Sequence, residues 1–484
     1  MTTRRRFIGG VAASSVAALP PTRALAAVGG PELTVGLLSD VHIEGSGPSE
    51  KLSAFERALG YFRDARVDAV VLAGDIADHG LVSELENVAR AWYRVFPGDR
   101  LPDGGKVEKI FVYGDHDSSC WHVKSSIWGG EWEGDERRAK WLDSIQRDPA
   151  AAWERCFHEK YSHFFVKTVK GYDFLCAHWR DVGGRPARDI PGAAEFIRRE
   201  GALRRGDRPF FYVQHRHPKG TVFGDWVVAD GGAVTPALSE FPNAVALSGH
   251  AHQPLSDERN VWQGAFTSVG TATLDYVGGR HYAENLQPHV LGTSHDAPMP
   301  RLDMFKSKQG LVMRVYGDRI DLERRDFVWG ESMGPDWSIP LPVARSRPYA
   351  YAARAKAFGA PEFAAGAEVS ISEADGLTRD GAPMRRVVVG FPCANASATR
   401  VYRYEVSAVL VDEDLELPVR SKMILAPDHH FPPSRTGLPG CMHFAFSELP
   451  TNAHIRFDIT PVSCFNSRGR VLRSASTWIR EEES

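Results

Sequence analysis

Residues 33–42 read LTVGLLSDVH, so a short apolar run ends directly in an aspartate and a histidine. Helical spacing of apolar residues follows over 52–66, a second apolar run covers 68–73, and helical spacing returns over 81–96. Such alternation is typical of α/β domains, in which helices connect neighbouring strands. The pattern therefore predicts a unit of strand, helix, strand and helix, with polar residues at the ends of its strands.

Further strands are predicted downstream of this unit. They cover residues 109–113, 164–169, 172–177, 210–214, 244–248, 265–269, 311–316 and 319–324. The last two flank Gly317 and Asp318, which predicts a hairpin. Residues 31–340 are thus expected to form one α/β domain.

The composition changes after residue 340. Several prolines and an alanine-rich stretch predict a linker or irregular edge over residues 341–365. Short alternating segments then follow at close spacing, separated by turn residues. They predict a C-terminal all-β domain, an immunoglobulin-like sandwich, over residues 366–484.

The first 26 residues are expected to direct transport. The run Arg4-Arg5-Arg6 precedes Phe7 and a weakly apolar stretch, and Ala24-Leu25-Ala26 is typical of a cleavage site. This arrangement resembles a bacterial twin-arginine signal. An anchor helix is the alternative, but the apolar run is too short and too rich in small residues to cross a bilayer. We therefore expect the twin-arginine export machinery as a partner, and a periplasmic or secreted mature protein without stable membrane insertion.

The charge and cysteine content exclude several classes of protein. The 484 residues carry 58 Lys and Arg against 61 Asp and Glu, a net charge of -3. This balance gives no basic field for a phosphate backbone, so nucleic acid is not expected as a partner. The six cysteines include no CxxC pair, which favours buried thiols over a zinc or redox site.

Polar clusters follow five of the predicted strands. They are Asp40 with His42, the run 74–78 (GDIAD), the run 114–117 (GDHD), His215, and the run 249–252 (GHAH). Open α/β sheets bind their ligands at the carboxyl ends of strands. A period of two also predicts that Asp40 and His42 share one face of their strand.

Carboxylates and imidazoles in this number suit two metal ions that share a short bridging carboxylate. Glycines at 74, 114 and 249 would let backbone and ligands approach the ions closely. His217 is an alternative to His215 as a ligand, although the position directly after the strand favours His215. Asp428-His429-His430 is interpreted as a solvated loop, because adjacent residues rarely converge on one ion.

Taken together, these motifs resemble those of the calcineurin-like metallophosphoesterases. The family pattern DxH, GDxxD, GNH[DE], a lone His and GHxH is matched here by Asp40-Val41-His42, Gly74-Asp75-Ile76-Ala77-Asp78, Gly114-Asp115-His116-Asp117, His215 and Gly249-His250-Ala251-His252. The resemblance covers about residues 33–330 and implies a four-layer α/β/β/α core. It implies one metal ion bound by Asp40, His42, Asp75 and His252. It implies a second ion bound by Asp75, Asp115, His215 and His250, with Asp75 as the bridge.

The resemblance also implies a reaction. Two divalent ions, Mn, Fe or Zn, would activate a hydroxide that attacks a small phosphate mono- or diester. His116 would stabilise the transition state or protonate the leaving group, and Asp117 would orient its ring. The alternative for His116 is a bracing role beside the metal ligands.

Asp115 departs from the family pattern, which has Asn at this position. A carboxylate can still ligate a metal, but it adds a negative charge and weakens the attraction for a phosphate anion. It also raises the pKa of a metal-bound water or favours one trivalent ion such as Fe³⁺, which are two hypotheses.

Two classes of function remain open from the sequence. The first is an exported metal-dependent phosphoric ester hydrolase. The second is a weakly active envelope or glycan-binding module on the same fold. Aromatic and histidine residues near the motifs are candidates either for a pocket wall or for packing. These residues are Trp121, His122, Trp128, Trp132, His178, Trp179 and Trp226.

Overall fold

The computed structural model describes residues 29–45, 49–119, 149–182, 185–186, 188–222, 229–278, 283–286, 299–377, 383–413 and 415–480. The expected signal at 1–26 lies outside these residues, as do Cys120, Trp121, His122, Trp128, Trp132 and Trp226. Within the described ranges, every helix is too short or too polar to cross a membrane.

The first part of the chain alternates strands with helices. Its strands are β1 (Leu33–Leu38), β2 (Ala69–Ala73), β3 (Glu108–Val112), β4 (Phe164–Val169), β5 (Tyr172–Ala177), β6 (Asp181–Val182), β7 (Arg185–Pro186), β8 (Phe210–Val213), β9 (Ala244–Ser248), β10 (Val261–Gln263), β11 (Thr267–Gly270), β12 (Gln309–Val315), β13 (Arg319–Asp326), β14 (Glu331–Ser332) and β15 (Trp337–Pro340). Its helices are α1 (Glu50–Asp64), α2 (Val82–Val95), α3 (Asp115–Ser119), α4 (Pro149–Phe157), α5 (Ala193–Ala202), α6 (Val234–Ser239) and α7 (Tyr351–Ala357).

Two mixed sheets organise these elements within the described residues. One has the order β14-β13-β12-β1-β2-β3, with β15 paired to β13, and the other has the order β10-β11-β9-β8-β5-β4. Strands β1, β2 and β3 are parallel to one another, as are β5, β8, β9 and β11. Because parallel neighbours end at the same edge, the loops after these strands gather at one side of each sheet.

The two sheets pack face to face with helices outside them. Leu37 and Val71 of the first sheet share one buried cluster with Val213 and Leu247 of the second. Helices α1, α2 and α4 cover the outer face of the first sheet, and α5 and α6 cover that of the second. Strands buried on both faces must be apolar throughout, which explains their continuous hydrophobic runs. The predicted four-layer α/β/β/α core is confirmed.

The C-terminal part is all β in the residues described. It contains β16 (Ser370–Leu377), β17 (Pro383–Phe391), β18 (Arg403–Asp412), β19 (Leu415–Leu425), β20 (Gly440–Ala445), β21 (Ala453–Val462), β22 (Leu472–Arg473) and β23 (Thr477–Ile479). These form one sheet of order β16-β17-β20 and another of order β19-β18-β21-β22, with β23 paired to β21. Val387 and Phe444 of the first sheet pack with Tyr404 and Phe457 of the second. The predicted β-sandwich is confirmed, whereas the predicted domain boundaries stay predictions.

His429 and His430 correct the interpretation of this segment as a solvated loop. Their side chains are buried where the sandwich meets the α/β layers. The carbonyl oxygen of His430 accepts hydrogen bonds from Ser307 Oγ and from Gln309 Nε2, both at 2.8 Å. Burial lowers the pKa of His430 to about 3, so the ring is neutral. These histidines therefore join the two parts of the protein, a role that single-sequence patterns do not show.

Candidate metal centre

The loops after β1, β2, β3, β8 and β9 carry the predicted ligands to one place. Three groups of side chains in the described residues have donor atoms within 4.8 Å of one another. Two of them contain the predicted ligands: the first is Asp75, Asp115, His215 and His250, and the second is Asp40, His42 and His252. The third, His42, Asp78 and His116, shares His42 with the second. The structure thus brings together all of the residues for which metal ligation is predicted, and it divides them as the family resemblance implies.

Asp75 lies between the two groups. Its Oδ2 atom is 3.0 Å from His215 Nε2 in the first group and 3.6 Å from His42 Nε2 in the second. The second group is closed by a distance of 2.9 Å between His252 Nε2 and Asp40 Oδ1. One carboxylate oxygen therefore faces both groups, as expected of a carboxylate that bridges two ions through a single oxygen.

The backbone at the ligands differs from the expectation of one strand face for Asp40 and His42. Strand β1 ends at Leu38, before both residues. Asp40 and His42 have φ angles of 50° and 47°, and Asp75 has 50°. His250 and His252 have φ angles of 65° and 50°. Left-handed loop conformations, rather than a strand period of two, turn these side chains toward one another, and such strained backbone is common at functional sites.

Two of the motif glycines are required by close approach. A Cβ atom at Gly74, whose φ is 90°, would lie 2.5 Å from Nδ1 of His215. A Cβ atom at Gly114 would lie 2.1 Å from Oδ1 of Asp75. Both distances are shorter than any van der Waals contact, so a side chain at either position would displace a predicted ligand.

Hydrogen bonds at Nδ1 orient several of the histidines. The Nδ1 atom of His42 lies 3.0 Å from Asp78 Oδ1, that of His215 lies 2.9 Å from the Ala73 carbonyl, and that of His252 lies 2.8 Å from the Tyr276 carbonyl. Each acceptor fixes the proton on Nδ1 and leaves Nε2 as the electron-pair donor, which is the usual support of a metal-binding histidine.

The electrostatics of the cluster also fit bound cations. The Nε2 atoms of His42 and His215 are buried and make no hydrogen bond within the described part of the chain. Although burial alone would lower the pKa of His42, the hydrogen bond to Asp78 and the charge of Asp75 raise it to about 9. The clustered carboxylates therefore favour a positive charge at the position of these rings. The donor set and its supports fit two metal ions of the borderline class.

Residues 33–254 match the family model described as calcineurin-like phosphoesterase, and this segment contains every predicted ligand from Asp40 to His252.

This part of the chain is similar to the calcineurin-like phosphoesterases.

Solved structures similar to the chain include a dimetal phosphatase from Danio rerio. It is 14% identical, covers 64% of this chain and 99% of its own, and has a TM-score of 0.36. Another is GAP50, the anchor in the inner membrane complex of Plasmodium, which is 12% identical, covers 64% of this chain and 88% of its own, and has a TM-score of 0.35. No curated protein matches the chain.

His116 lies beside the Asp40 group. Its ring contacts that of His42 edge to face, with centroids 4.5 Å apart. Its Nδ1 atom is 2.7 Å from the carbonyl oxygen of Asp78, so Nδ1 carries the proton and Nε2 is available for exchange. Asp78 thus orients two histidines, His42 through its carboxylate and His116 through its carbonyl. Asp78 is the last residue of the GDxxD motif, and the motif alone does not indicate this orienting role.

Asp117 corrects the expectation that it orients His116. Its Oδ2 accepts from the backbone N–H groups of Gly114 at 2.7 Å and Ile76 at 3.1 Å, and its Oδ1 accepts from that of Ala77 at 2.7 Å. Burial and the charge of Asp75 raise the pKa of Asp117 to about 7. The carboxylate therefore ties the loop of Asp75 to the loop of Asp115, and the Asp78 carbonyl orients His116.

Replacing Asp117 with asparagine is expected to lower the free energy of unfolding by about 2–4 kcal/mol, because an amide would present N–H groups to backbone donors. Metal affinity should fall as well, since the tied loops carry Asp75 and Asp115. Thermal unfolding and metal content of the variant measure the two effects. Asp318→Asn, in a turn where the side chain is 61% exposed, is the control. If Asp117→Asn had the same melting temperature as the control, the hydrogen bonds of Asp117 to the two loops would not be stabilising the protein.

Arg216 is a neighbour of the centre that belongs to none of the sequence motifs. Its Nη2 donates to Oδ2 of Asp115 at 2.6 Å, while Oδ1 of the same carboxylate lies 3.0 Å from His215 Nε2. The guanidinium carbon also lies 5.1 Å from the ring centroid of Trp179. The sequence shows only that an arginine directly follows the predicted ligand His215. It does not show that this arginine contacts Asp115.

The described pocket-wall candidates prove to be packing residues. His178 is buried, and its Nδ1 accepts a hydrogen bond from the Tyr113 backbone N–H at 3.0 Å. Burial lowers its pKa to about 3. Trp179 is 1% exposed and supports Arg216. His217, the alternative to His215, is buried outside the two ligand groups, which leaves His215 as the predicted ligand.

Proposed function

We propose that this protein is an exported, metal-dependent phosphoesterase that hydrolyses a small phosphate mono- or diester. The observation that carries the proposal is the position of Asp75 Oδ2, which faces both ligand groups. Binding by Asp40, His42, Asp75 and His252 on one side and by Asp75, Asp115, His215 and His250 on the other would hold two divalent ions, Mn, Fe or Zn. Two such ions, when bound, lower the pKa of a water and withdraw charge from phosphoryl oxygens.

The protein's own residues supply the remaining steps. The hydrogen bonds at Nδ1 of His42, His215 and His252 keep the rings from turning as substrate enters. As an imidazolium with protons on both ring nitrogens, His116 gives its Nε2 proton to the departing oxygen and keeps the Nδ1 proton, which the Asp78 carbonyl holds. The near-neutral balance of the chain supports a small ester rather than a nucleic acid as substrate.

Export rests on residues 1–26, whose arginine run and small-residue cleavage site resemble a twin-arginine signal. We propose that the twin-arginine machinery carries the folded protein with its ions to the periplasm or beyond. Folding inside the cell would let the site keep a weaker-binding ion such as manganese, which copper or zinc would otherwise displace.

The test measures the metal content of the mature protein, residues 27–484, before and after reconstitution with Mn²⁺, Fe²⁺ or Zn²⁺. The same samples are then assayed with para-nitrophenyl phosphate and bis-para-nitrophenyl phosphate. We expect two ions per chain and turnover of at least one ester, and the ratio of the two rates assigns the monoester or diester class. Absence of bound metal after reconstitution would overturn the proposal. Two ions without turnover of either ester would favour a binding module instead.

A further inference from the structure

We propose that Arg216 is a positioning residue that balances the charge of Asp115, and so preserves the attraction of the centre for a phosphate anion. This inference rests on the proposed function, because it concerns the binding of phosphate at the same centre. It answers a difficulty that Asp115 raises. Where the family pattern has a neutral asparagine, this chain places a third carboxylate beside Asp40 and Asp75.

The geometry assigns the two oxygens of Asp115 to different partners. Oδ1 faces the donor group, 3.0 Å from His215 Nε2 and 3.4 Å from His250 Nδ1. Oδ2 accepts from Arg216 Nη2 at 2.6 Å, which is the short distance of a charge-assisted hydrogen bond. Arg216 therefore holds the carboxylate with one oxygen toward the metal position and the other away from it.

Arg216 is itself well held. Its side chain is 11% exposed, and its guanidinium packs over the ring of Trp179, which is buried. Its Nε atom is buried and makes no hydrogen bond to the residues that the structure describes. Arg216 therefore holds a positive charge against the Asp115 carboxylate.

The charge balance follows from these contacts. Two divalent ions with Asp40, Asp75 and Asp115 leave one net positive charge, and Arg216 raises this to two. A centre with asparagine at position 115 and a neutral residue at 216 would also carry two. The pair Asp115 and Arg216 thus has the same net charge as asparagine beside a neutral residue, so Arg216 offsets the weaker attraction for phosphate that Asp115 alone would cause.

The test compares Arg216→Met, Asp115→Asn and the double variant with the unmodified protein. Two quantities are measured by calorimetry in each: the Kd for Mn²⁺, and the Kd of the Mn²⁺-loaded protein for inorganic phosphate. Methionine keeps an unbranched side chain against Trp179 while it removes the charge. Arg345→Met is the control, because Arg345 is 73% exposed and pairs with Asp207 on the surface.

The two single variants should move the two affinities in opposite directions. In Arg216→Met we expect phosphate to bind about tenfold more weakly and Mn²⁺ to bind at least as tightly, because a cation has left the neighbourhood of both. In Asp115→Asn we expect phosphate to bind more tightly and Mn²⁺ about tenfold more weakly. The double variant should bring phosphate affinity back to within about threefold of the starting value. A purely structural role for Arg216 would weaken both ligands in Arg216→Met and would give no recovery in the double variant.

Several outcomes separate this inference from the proposed function. Unmodified protein that binds none of Mn²⁺, Fe²⁺ and Zn²⁺ would overturn both, and if only Fe²⁺ or Zn²⁺ binds, that ion replaces Mn²⁺ in the comparison. If the unmodified protein binds both Mn²⁺ and phosphate, and Arg216→Met binds phosphate with the same Kd, the inference alone is overturned. If Arg216→Met fails to fold, Arg216→Lys replaces it, since lysine keeps the charge without the planar fork. Phosphate affinity within about threefold of the starting value would then support charge balance, and a loss as large as tenfold would overturn it.

Discussion

Replacement of Asp75 with alanine is expected to abolish turnover of both para-nitrophenyl esters, with a loss of at least about 10³-fold in kcat/KM. The reason is that Asp75 Oδ2 faces both ligand groups, so its removal takes one ligand from each predicted ion. The Oδ1 atom also accepts the backbone N–H of His116 at 3.0 Å, so the variant additionally releases the loop that carries the proton-exchanging residue. Metal analysis of the variant should find fewer than two ions per chain.

Asp75→Asn refines this experiment because it keeps the shape of the side chain and an oxygen that can accept the His116 N–H. We expect it to fold like the unmodified protein and still to bind less metal, since a neutral amide is a poor bridge between cations. Circular dichroism establishes the fold, and Asp318→Ala serves as a surface control. Retention of two ions per chain and of full turnover in Asp75→Asn would show that the bridge lies elsewhere.

Replacement of His116 with glutamine is expected to reduce kcat by about 10²- to 10⁴-fold while two ions remain bound. The ring lies outside the two predicted ligand sets but forms a third group of possible donors with His42 and Asp78, so unchanged metal content is an expectation that metal analysis of the variant must check. Kinetics on phenyl phosphate and on para-nitrophenyl phosphate measure the effect. The loss should be greater for phenyl phosphate, because its less acidic leaving oxygen needs a proton more.

The control for His116 is His163→Gln, which changes an exposed histidine. Equal losses on the two esters would assign His116 to stabilisation of the transition state rather than to protonation of the leaving group. A loss of metal that parallels the loss of rate would instead assign it a bracing role.

The sequence predicts the alternating strands and helices and the ligand clusters because both depend on local patterns, whereas the four layers are implied only by the family resemblance. Apolar runs such as 33–38 and 69–73 are long enough to identify buried strands, and the acidic and histidine residues directly after them must gather at one edge of the sheet. The hydrogen bonds that support these clusters cannot be predicted in the same way. Asp117 faces loop N–H groups, Arg216 reaches Asp115 across the centre, and His430 joins the sandwich to Gln309. Each of these contacts depends on tertiary packing, which short patterns do not encode.

The left-handed backbone at Asp40, His42, Asp75, His250 and His252 restricts how this centre can evolve. Aspartate, asparagine and histidine adopt that conformation more readily than other residues with a side chain. The ligand types that suit a borderline metal therefore coincide with the types that the loops tolerate. A change to glutamate or cysteine at these positions would carry a conformational penalty in addition to its chemical effect. The backbone conformation itself therefore disfavours substitutions that would turn this site into a thiolate-rich centre for soft metals, whether or not an ion is bound.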